Sequence, residues 1–401
     1  MNRKEFIKKS LALGIGLPLI NLFLDSCTSD EGIDFPVFET NFSGKVLIVG
    51  AGAAGLAAGY LLHRYGVDFE ILEANSTYGG RTKRNTSLAN FPIDLGAEWI
   101  HQSPSVLAEI INNPEIDATL DFIVYNPQSI KTYNSGKLSS INFGSNYYSE
   151  HKFKNTSWFG FFEQFIVPDI LPKIRVNSPV TNINYQSQKV TATVNNTTVY
   201  EADKILITTP INVLKSDLIE FTPKLPSDKT NAINSITMGD GIKVFIEFSE
   251  KFYPDILLFG GVGALLSDSS EKIYYDAAFR KNTTKNILGF FCVQYNATPY
   301  TSLGSDQEII AYILAELDEV FDGKASKHYL NHVIQNWSKE PYILGSYASE
   351  FDGDENAIKN TISNPIENKV YFAGEAISID NQSTVDGACE SGYFAVETML
   401  T

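Results

Sequence analysis

Two apolar patterns recur along this chain. Lys45–Val49, KVLIV, is a short continuous run, as in a strand buried on both faces. Small and apolar residues from Ala53 to Tyr65 predict a helix packed closely on that strand, and Gly66 stops it. DFEIL, Asp68–Leu72, predicts a second strand. The other pattern alternates. In GDGIKVFIEF, Gly239–Phe248, Ile242, Val244, Ile246 and Phe248 share one face, and Lys243, Phe245 and Glu247 the other. Lysines are almost never fully buried, so taken alone Lys243 reads as a solvated charge on an edge strand. At the N-terminus basic NRKEFIKKS precedes apolar Leu11–Leu24, which Pro18 and Asn21 interrupt and which is too short to span a bilayer comfortably.

Between the first strand and its helix lies Gly50-x-Gly52-x-x-Gly55. Gly50 makes the tight turn, and Gly52 lets backbone approach a pyrophosphate, whose charge is stabilised by free N–H groups of the helix start. That places Ala53, Ala54 and Gly55 at the phosphates. Glu73, at the end of the second strand, is placed to accept hydrogen bonds from ribose hydroxyls, with Ala74 beside it. The motif alone is weak; strand, helix, second strand and acid together predict a Rossmann-like dinucleotide site.

After Glu73 comes ANSTYGGR, with Gly79, Gly80 and Arg81. Here the chain resembles the flavin-containing amine oxidases: monoamine oxidases, polyamine oxidases and the related histone demethylases. The resemblance continues through DLGAEWIHQ, RVNSPVTNINY, ADKILITTP, NWSKEPYILGSYA, VYFAGEA and TVDGACESG. It implies bound FAD, with Gly80 and Arg81 near phosphate and ring, and Gly96, Ala97, Glu98 and Trp99 running past the isoalloxazine. Val180 meets the adenine through its backbone, Trp337 flanks the flavin, and Gly374 and Glu375 meet the ribityl or pyrophosphate portion. Thr384 and Val385 open a helix aimed at the pyrimidine end of the ring, where its partial positive charge favours the anion of the reduced flavin. Lys243 matches a lysine that reaches a water bonded to flavin N5, with a pKa depressed by desolvation. Ser346 stands where covalently flavinylated relatives carry cysteine, which implies non-covalent FAD. Tyr347 matches one wall of an aromatic amine cage, while Thr384 replaces the other. His101 matches a histidine of polyamine oxidases, whose neutral imidazole would accept a hydrogen bond from a substrate amine.

The implied fold class is α/β: a glutathione-reductase-type FAD domain (44–100, 171–214 and 341–401) with an inserted α+β substrate domain (101–170, helical and aromatic, and 215–340, with strands in IKVFIEF, KIYYDAA and ILGFFCVQY). The stretch from His101 to Arg175 is shorter than in the family and has a single Gly160 where paired glycines are expected, so part of the cover over the substrate is missing or rebuilt. The implied activity is oxidation of a C–N bond of a primary or secondary amine, polyamine-like or monoamine, with O2 giving H2O2. An amino-acid oxidase would need a pocket arginine for the carboxylate. A desaturase, or an FAD-binding lipoprotein without turnover, remains open.

Composition narrows this further. A net charge of −16 lacks the basic footprint nucleic acid needs and suits cationic substrates. LDSC, ending at Cys27, resembles a lipoprotein signal, so residues 1–26 are expected to be removed, Cys27 lipidated, 27–43 to form a tether, and the protein to be exported, periplasmic or membrane-tethered. An ordinary signal peptide or uncleaved anchor is the alternative, and NRKEFIKK also resembles a twin-arginine export motif. With Cys27 lipidated, Cys292 and Cys389 give no disulfide framework. His328 and His332 stand four apart without an evident third ligand, so no metal site is expected.

Overall fold

The computed structural model describes residues 37–141, 150–259 and 271–401; the signal segment and Cys27 lie outside them. Its first layer is an all-parallel five-stranded sheet in the order Ile174–Arg175, Asp68–Leu72, Lys45–Val49, Lys204–Ile207, Val370–Phe372. The continuous apolar run of the central strand has its reason here. Val46 and Ile48 enter one core with the helices Ala53–Arg64 and Val385–Leu400, while Leu47 and Val49 enter a second core on the other face. Gly66, at φ +69°, ends the first helix as expected. Gly392 lets the two helices close up, since a Cβ there would stand 2.4 Å from the Ala54 carbonyl oxygen.

A four-stranded sheet (Thr198–Ala202, Val190–Val194, Val180–Asn184, Glu220–Thr222) stands beside it. Its last strand pairs with Val180–Asn184 across the domain boundary expected at 214.

The other large layer is a seven-stranded sheet in the order Tyr329–Asn336, Gly241–Phe248, Asn286–Val293, Lys272–Asp276, Ile256–Phe259, Ile130–Asn134, Lys137–Ile141. Helix Asp306–Phe321, held by a Ser305–Glu308 capping box, covers one face. Ile242, Val244, Ile246 and Phe248 point into that core, as their alternation required. Gly241–Phe248 is paired on both sides, so Lys243 is on an interior strand.

The stretch 101–170 is not mainly helical. Beside the helices Val106–Ile111 and Trp158–Phe165, it supplies Phe122–Tyr125 and Glu150–Phe153 to a three-stranded sheet with Trp99–Ile100, and two strands to the seven-stranded sheet. The dense aromatics there pack a core; Trp158, Phe161 and Phe162 are almost wholly buried. Among the described residues, no helix is long and apolar enough to cross a membrane.

Candidate active site

A cavity of about 1250 Å³ opens at the carboxyl ends of the parallel strands, beside Val49, Leu72 and Thr208, and runs to the seven-stranded sheet at Lys243 and Phe291. Pockets for drug-sized ligands measure roughly 300–1,000 Å³, so it has room for a dinucleotide and a smaller molecule together.

At the nucleotide end, Gly50 turns at φ +104°. A Cβ on Gly52 would meet nothing within 4 Å and would project into the space a ligand needs. Gly52 caps the helix without a side chain, which leaves first-turn N–H groups to a ligand. Ala53 and Ala54 line the cavity, but Gly55 does not. A Cβ on Gly55 would stand 2.0 Å from the Gly50 carbonyl oxygen, so its role is to bring helix and turn together. Glu73 is buried and accepts from Ala51 N (2.7 Å) and Asn75 N (2.8 Å); burial nevertheless raises its pKa. Ala74 and Val180 line the same end, and Thr209 Oγ1 is buried there without a partner among the described residues. The phosphate cradle, the acid at the second strand and this orphaned hydroxyl fit an FAD.

Toward the other end, Arg81 donates to Ser346 O (2.8 Å) and pairs with Glu375 (2.9 Å), which also accepts from Ala348 N (3.3 Å). Gly374 precedes Glu375 at φ +152°, and Gly80 lies against Gly52. Gly96 has no room for a side chain, since a Cβ would fall 1.8 Å from Arg81 O. That lets Gly96, Ala97, Glu98 and Trp99 pass along the cavity wall. Trp337, buried, donates its indole N–H to Leu95 O (3.0 Å). Ser346 donates its hydroxyl to Gly239 O (3.1 Å). Thr384 caps the last helix by accepting from Gly387 N (3.0 Å), and Thr384, Val385 and Ala388 present that helix start to the cavity.

Lys243 lines the cavity and is only 3% exposed. Its ammonium donates to Asp94 O (3.1 Å), Gly96 O (3.0 Å) and Glu98 Oε2 (2.6 Å). An ammonium has three donors, so in this conformation none is left for a water, and the water-holding role implied by the resemblance requires one of these bonds to open. Glu98 also pairs with Lys152 through Oε1 (2.5 Å) and accepts from the Tyr275 hydroxyl. Burial pushes the Glu98 pKa up, but Lys152 and Lys243 outweigh it and bring it down to about 2. Burial lowers the pKa of Lys243, and the share of one carboxylate it receives does not restore it. Asp94, fully enclosed and close to Glu98, is pushed up to about 8 by burial first and by that neighbour second.

His101 and Tyr347 face the same cavity. His101 Nδ1 stands 3.2 Å from Glu150 Oε2. The surrounding protein pulls the histidine pKa down, but Glu150, Asp386 and Glu271 outweigh this and raise it. The shift runs toward the imidazolium, opposite to the direction that would favour the neutral acceptor expected from sequence. Burial raises the Tyr347 pKa well above its ordinary value, so it is a neutral phenol wall.

Sequence reading missed Lys152, Tyr275, Glu150, Gln102 and Asp386. Lys152 sits in the rebuilt stretch, with no motif around it. Gln102 donates to Asn381 Oδ1 (2.6 Å) and Asp386 Oδ2 (2.9 Å), tying the wall to the last helix. Arg280 is an exposed residue bonded to Val124 O and does not line the cavity. His328 ends a short helix and His332 lies in the next strand, so they do not share a helix face; among the described residues no group of potential ligands is placed to hold a metal.

A family model described as flavin containing amine oxidoreductase matches residues 171–400, and one for an NAD(P)-binding Rossmann-like domain matches 48–112. Polyamine oxidase 4 of Oryza sativa subsp. japonica is 33% identical over 225 residues, 56% of this chain and 44% of that protein's length. Probable polyamine oxidase 4 of Arabidopsis thaliana is 24% identical over 89% of this chain and 87% of its own. Among solved structures, cyclohexylamine oxidase from Brevibacterium oxydans matches with a TM-score of 0.72 at 17% identity, covering 90% of this chain and 99% of its own. A putrescine oxidase redesigned in its cofactor binding matches with a TM-score of 0.71 at 16% identity, covering 89% and 99%. At such identities these structures speak for the fold.

Proposed function

Because this chain belongs to the flavin containing amine oxidoreductase family, we propose that it oxidises small amines with non-covalently held FAD, consuming O2 and water and releasing an aldehyde, a smaller amine or ammonia, and H2O2. The observation that carries this reading is one continuous cavity with a dinucleotide cradle at one end and the Lys243–Glu98 pair, Tyr347 and His101 at the other. FAD, when bound, supplies the hydride acceptor and the route to O2. The protein's own part is orientation, desolvation and charge placement. Glu73 and the Gly50–Gly52 turn anchor the nucleotide. The Thr384-capped helix start supplies partial positive charge. Lys243 exchanges one carbonyl for a water when the site fills. Tyr347 walls the amine, Trp337 flanks the flavin, and exclusion of water favours the neutral form of the amine, which is the form able to give up hydride. Glu150, Glu271, Asp380 and Asp386 give the cavity carboxylates that attract cationic amines, polyamines included. An amino-acid oxidase is disfavoured, since Arg81, the arginine lining the cavity among the described residues, is already engaged with Glu375 and Ser346.

A peroxide-coupled screen of the purified yellow protein against putrescine, spermidine, spermine, cyclohexylamine and amino acids tests the reading. Turnover of an amine supports it, and a flavin-loaded protein inert to all of them overturns it. Lys243→Met is expected to keep FAD and slow turnover; reduction and reoxidation rates equal to wild type would remove its role.

For localisation we propose a lipid tether at Cys27 on an exported chain. Phe38 stacks on Tyr65 and Thr40 donates to Leu400 O, so segment 37–43 leaves from the amino ends of the parallel strands, opposite the cavity. Release of Cys27→Ser into the soluble fraction supports the anchor; unchanged membrane retention argues against it.

A further inference from the structure

Lys152 comes from Glu150–Phe153, in the stretch where the chain departs from its family's pattern, and it is buried. Its ammonium lies 4.7 Å from the ring centre of Trp99 and 5.2 Å from those of Tyr125 and Tyr275, and it holds the Glu98 oxygen that Lys243 leaves free. One carboxylate thus serves two ammonium groups. We propose that Lys152 is a positioning residue: as a second counter-ion of Glu98 it keeps that carboxylate compensated, and so leaves Lys243 able to open a bond toward the cavity and to release its proton.

An isolated Glu98–Lys243 pair, enclosed in protein, would hold both partners tightly, because neither could leave the other uncompensated. With Lys152 present, Glu98 keeps a counter-ion whatever Lys243 does. The charged and titratable groups facing Lys243 are Glu98 and Asp94 from the segment it bonds, Tyr275 from Lys272–Asp276, the next strand but one of its sheet, and Lys152 across Glu98; Lys281 stands behind Asp94 and Glu98. Removing the Lys152 charge takes a like charge from this group and strengthens the hold of Glu98 on the Lys243 proton. Removing the Glu98 charge does the opposite. Lys152→Met retains an unbranched chain that fits the aromatic box, and Lys152→Arg retains the charge.

The reaction served is the one proposed above, and the test separates the two. Lysine labelled with ¹³C at Cε is introduced into the flavin-loaded chain, and the Lys243 signal is identified by its loss in Lys243→Met. Its titration is followed in wild type, Lys152→Met, Lys152→Arg and Glu98→Gln. We expect Lys152→Met to move the Lys243 transition to higher pH, by at least about a tenfold change in proton affinity for a unit charge removed from the other side of one carboxylate. Glu98→Gln moves it to lower pH, and Lys152→Arg stays near wild type. A merely structural Lys152 would not give shifts of opposite sign. An unmoved or lowered transition in Lys152→Met overturns the proposal, even where amine turnover is observed. Should Glu98→Gln fail to fold, the contrast of Lys152→Met with Lys152→Arg decides. Absence of any amine turnover counts against the proposed function and leaves the titration result to stand for the pairing.

Discussion

Replacing Glu98 by Gln removes one charge from the most enclosed part of the cavity and leaves the ammonium groups of Lys152 and Lys243 facing a neutral amide. Breaking a buried pair by removing one partner typically costs about 3–5 kcal/mol. A second route gives a similar figure. The Glu98 carboxyl falls from 4.5 to about 2 on folding, which corresponds to roughly 3 kcal/mol. The sign follows from the direction of the shift. An acid whose pKa is depressed by folding stabilises the native state above its unfolded pKa, here about 4.5, and loses that contribution as pH falls toward about 2. Lys243 works against part of this gain: its lowered pKa means that holding its proton costs stability at neutral pH, a cost that fades as pH rises toward 10.5. In the variant Lys243 can shed its proton, which limits the damage. We therefore expect Glu98→Gln to lose about 3 kcal/mol at pH 7, and the gap to wild type to narrow between pH 4.5 and 3. Urea unfolding at fixed excess FAD, followed by tryptophan fluorescence and circular dichroism, measures both. A gap below about 1 kcal/mol at pH 7, or one that does not change with pH, would refute the reasoning.

Asp94 offers the opposite sign. Its carboxyl is raised from 3.8 to about 8, so ionising it costs stability increasingly as pH climbs between these values. Asp94→Asn keeps an acceptor for Trp158 N and is expected to stabilise the protein at pH 7.5 by up to ~5 kcal/mol, with no gain at pH 4; destabilisation at pH 7.5 in the same urea assay would show that the ionised form is the native one. The cradle glycines should separate two effects. Gly52→Ala adds a methyl group into open cavity at an ordinary φ of −77°, so FAD affinity should fall at least tenfold while thermal stability of the flavin-free chain stays within about 0.5 kcal/mol. Gly55→Ala forces a Cβ against Gly50 O and should also destabilise the chain by about 1–3 kcal/mol. FAD titration and thermal melts read both; equal behaviour of the two variants would contradict these assignments.

How far the sequence foretold this molecule depends on the range over which each constraint acts. The nucleotide cradle was legible because its requirements are local: the turn at Gly50, the helix start at Gly52 and the acid at Glu73 fall within one strand–helix–strand unit. The face of Lys243 was legible too, since period-2 alternation fixes it once Ile242, Val244 and Ile246 are assigned to the core. Its partners were not. Glu98 and Lys152 are distant in sequence from Lys243, and only the meeting of the three-stranded and seven-stranded sheets brings them together. The rebuilt stretch misled for a related reason. Its aromatic content reads as helix surface or strand core alike, and residues such as Phe122–Tyr125 and Ile130–Asn134 become strands because the edges of neighbouring sheets are there to pair with them.

That difference bears on how the site works. Cofactor contacts lie in compact motifs that a few residues specify, so they survive when the surrounding chain is rearranged. On the proposal above, control over Lys243 lies in a long-range ion cluster, one member of which comes from the 101–170 stretch. The nucleotide cradle of this chain can therefore stay intact while the protonation of the lysine beside it is set from elsewhere in the fold. Lys152 is where this chain places that adjustment: it fixes the charge of the carboxylate on which Lys243 depends without itself lining the cavity.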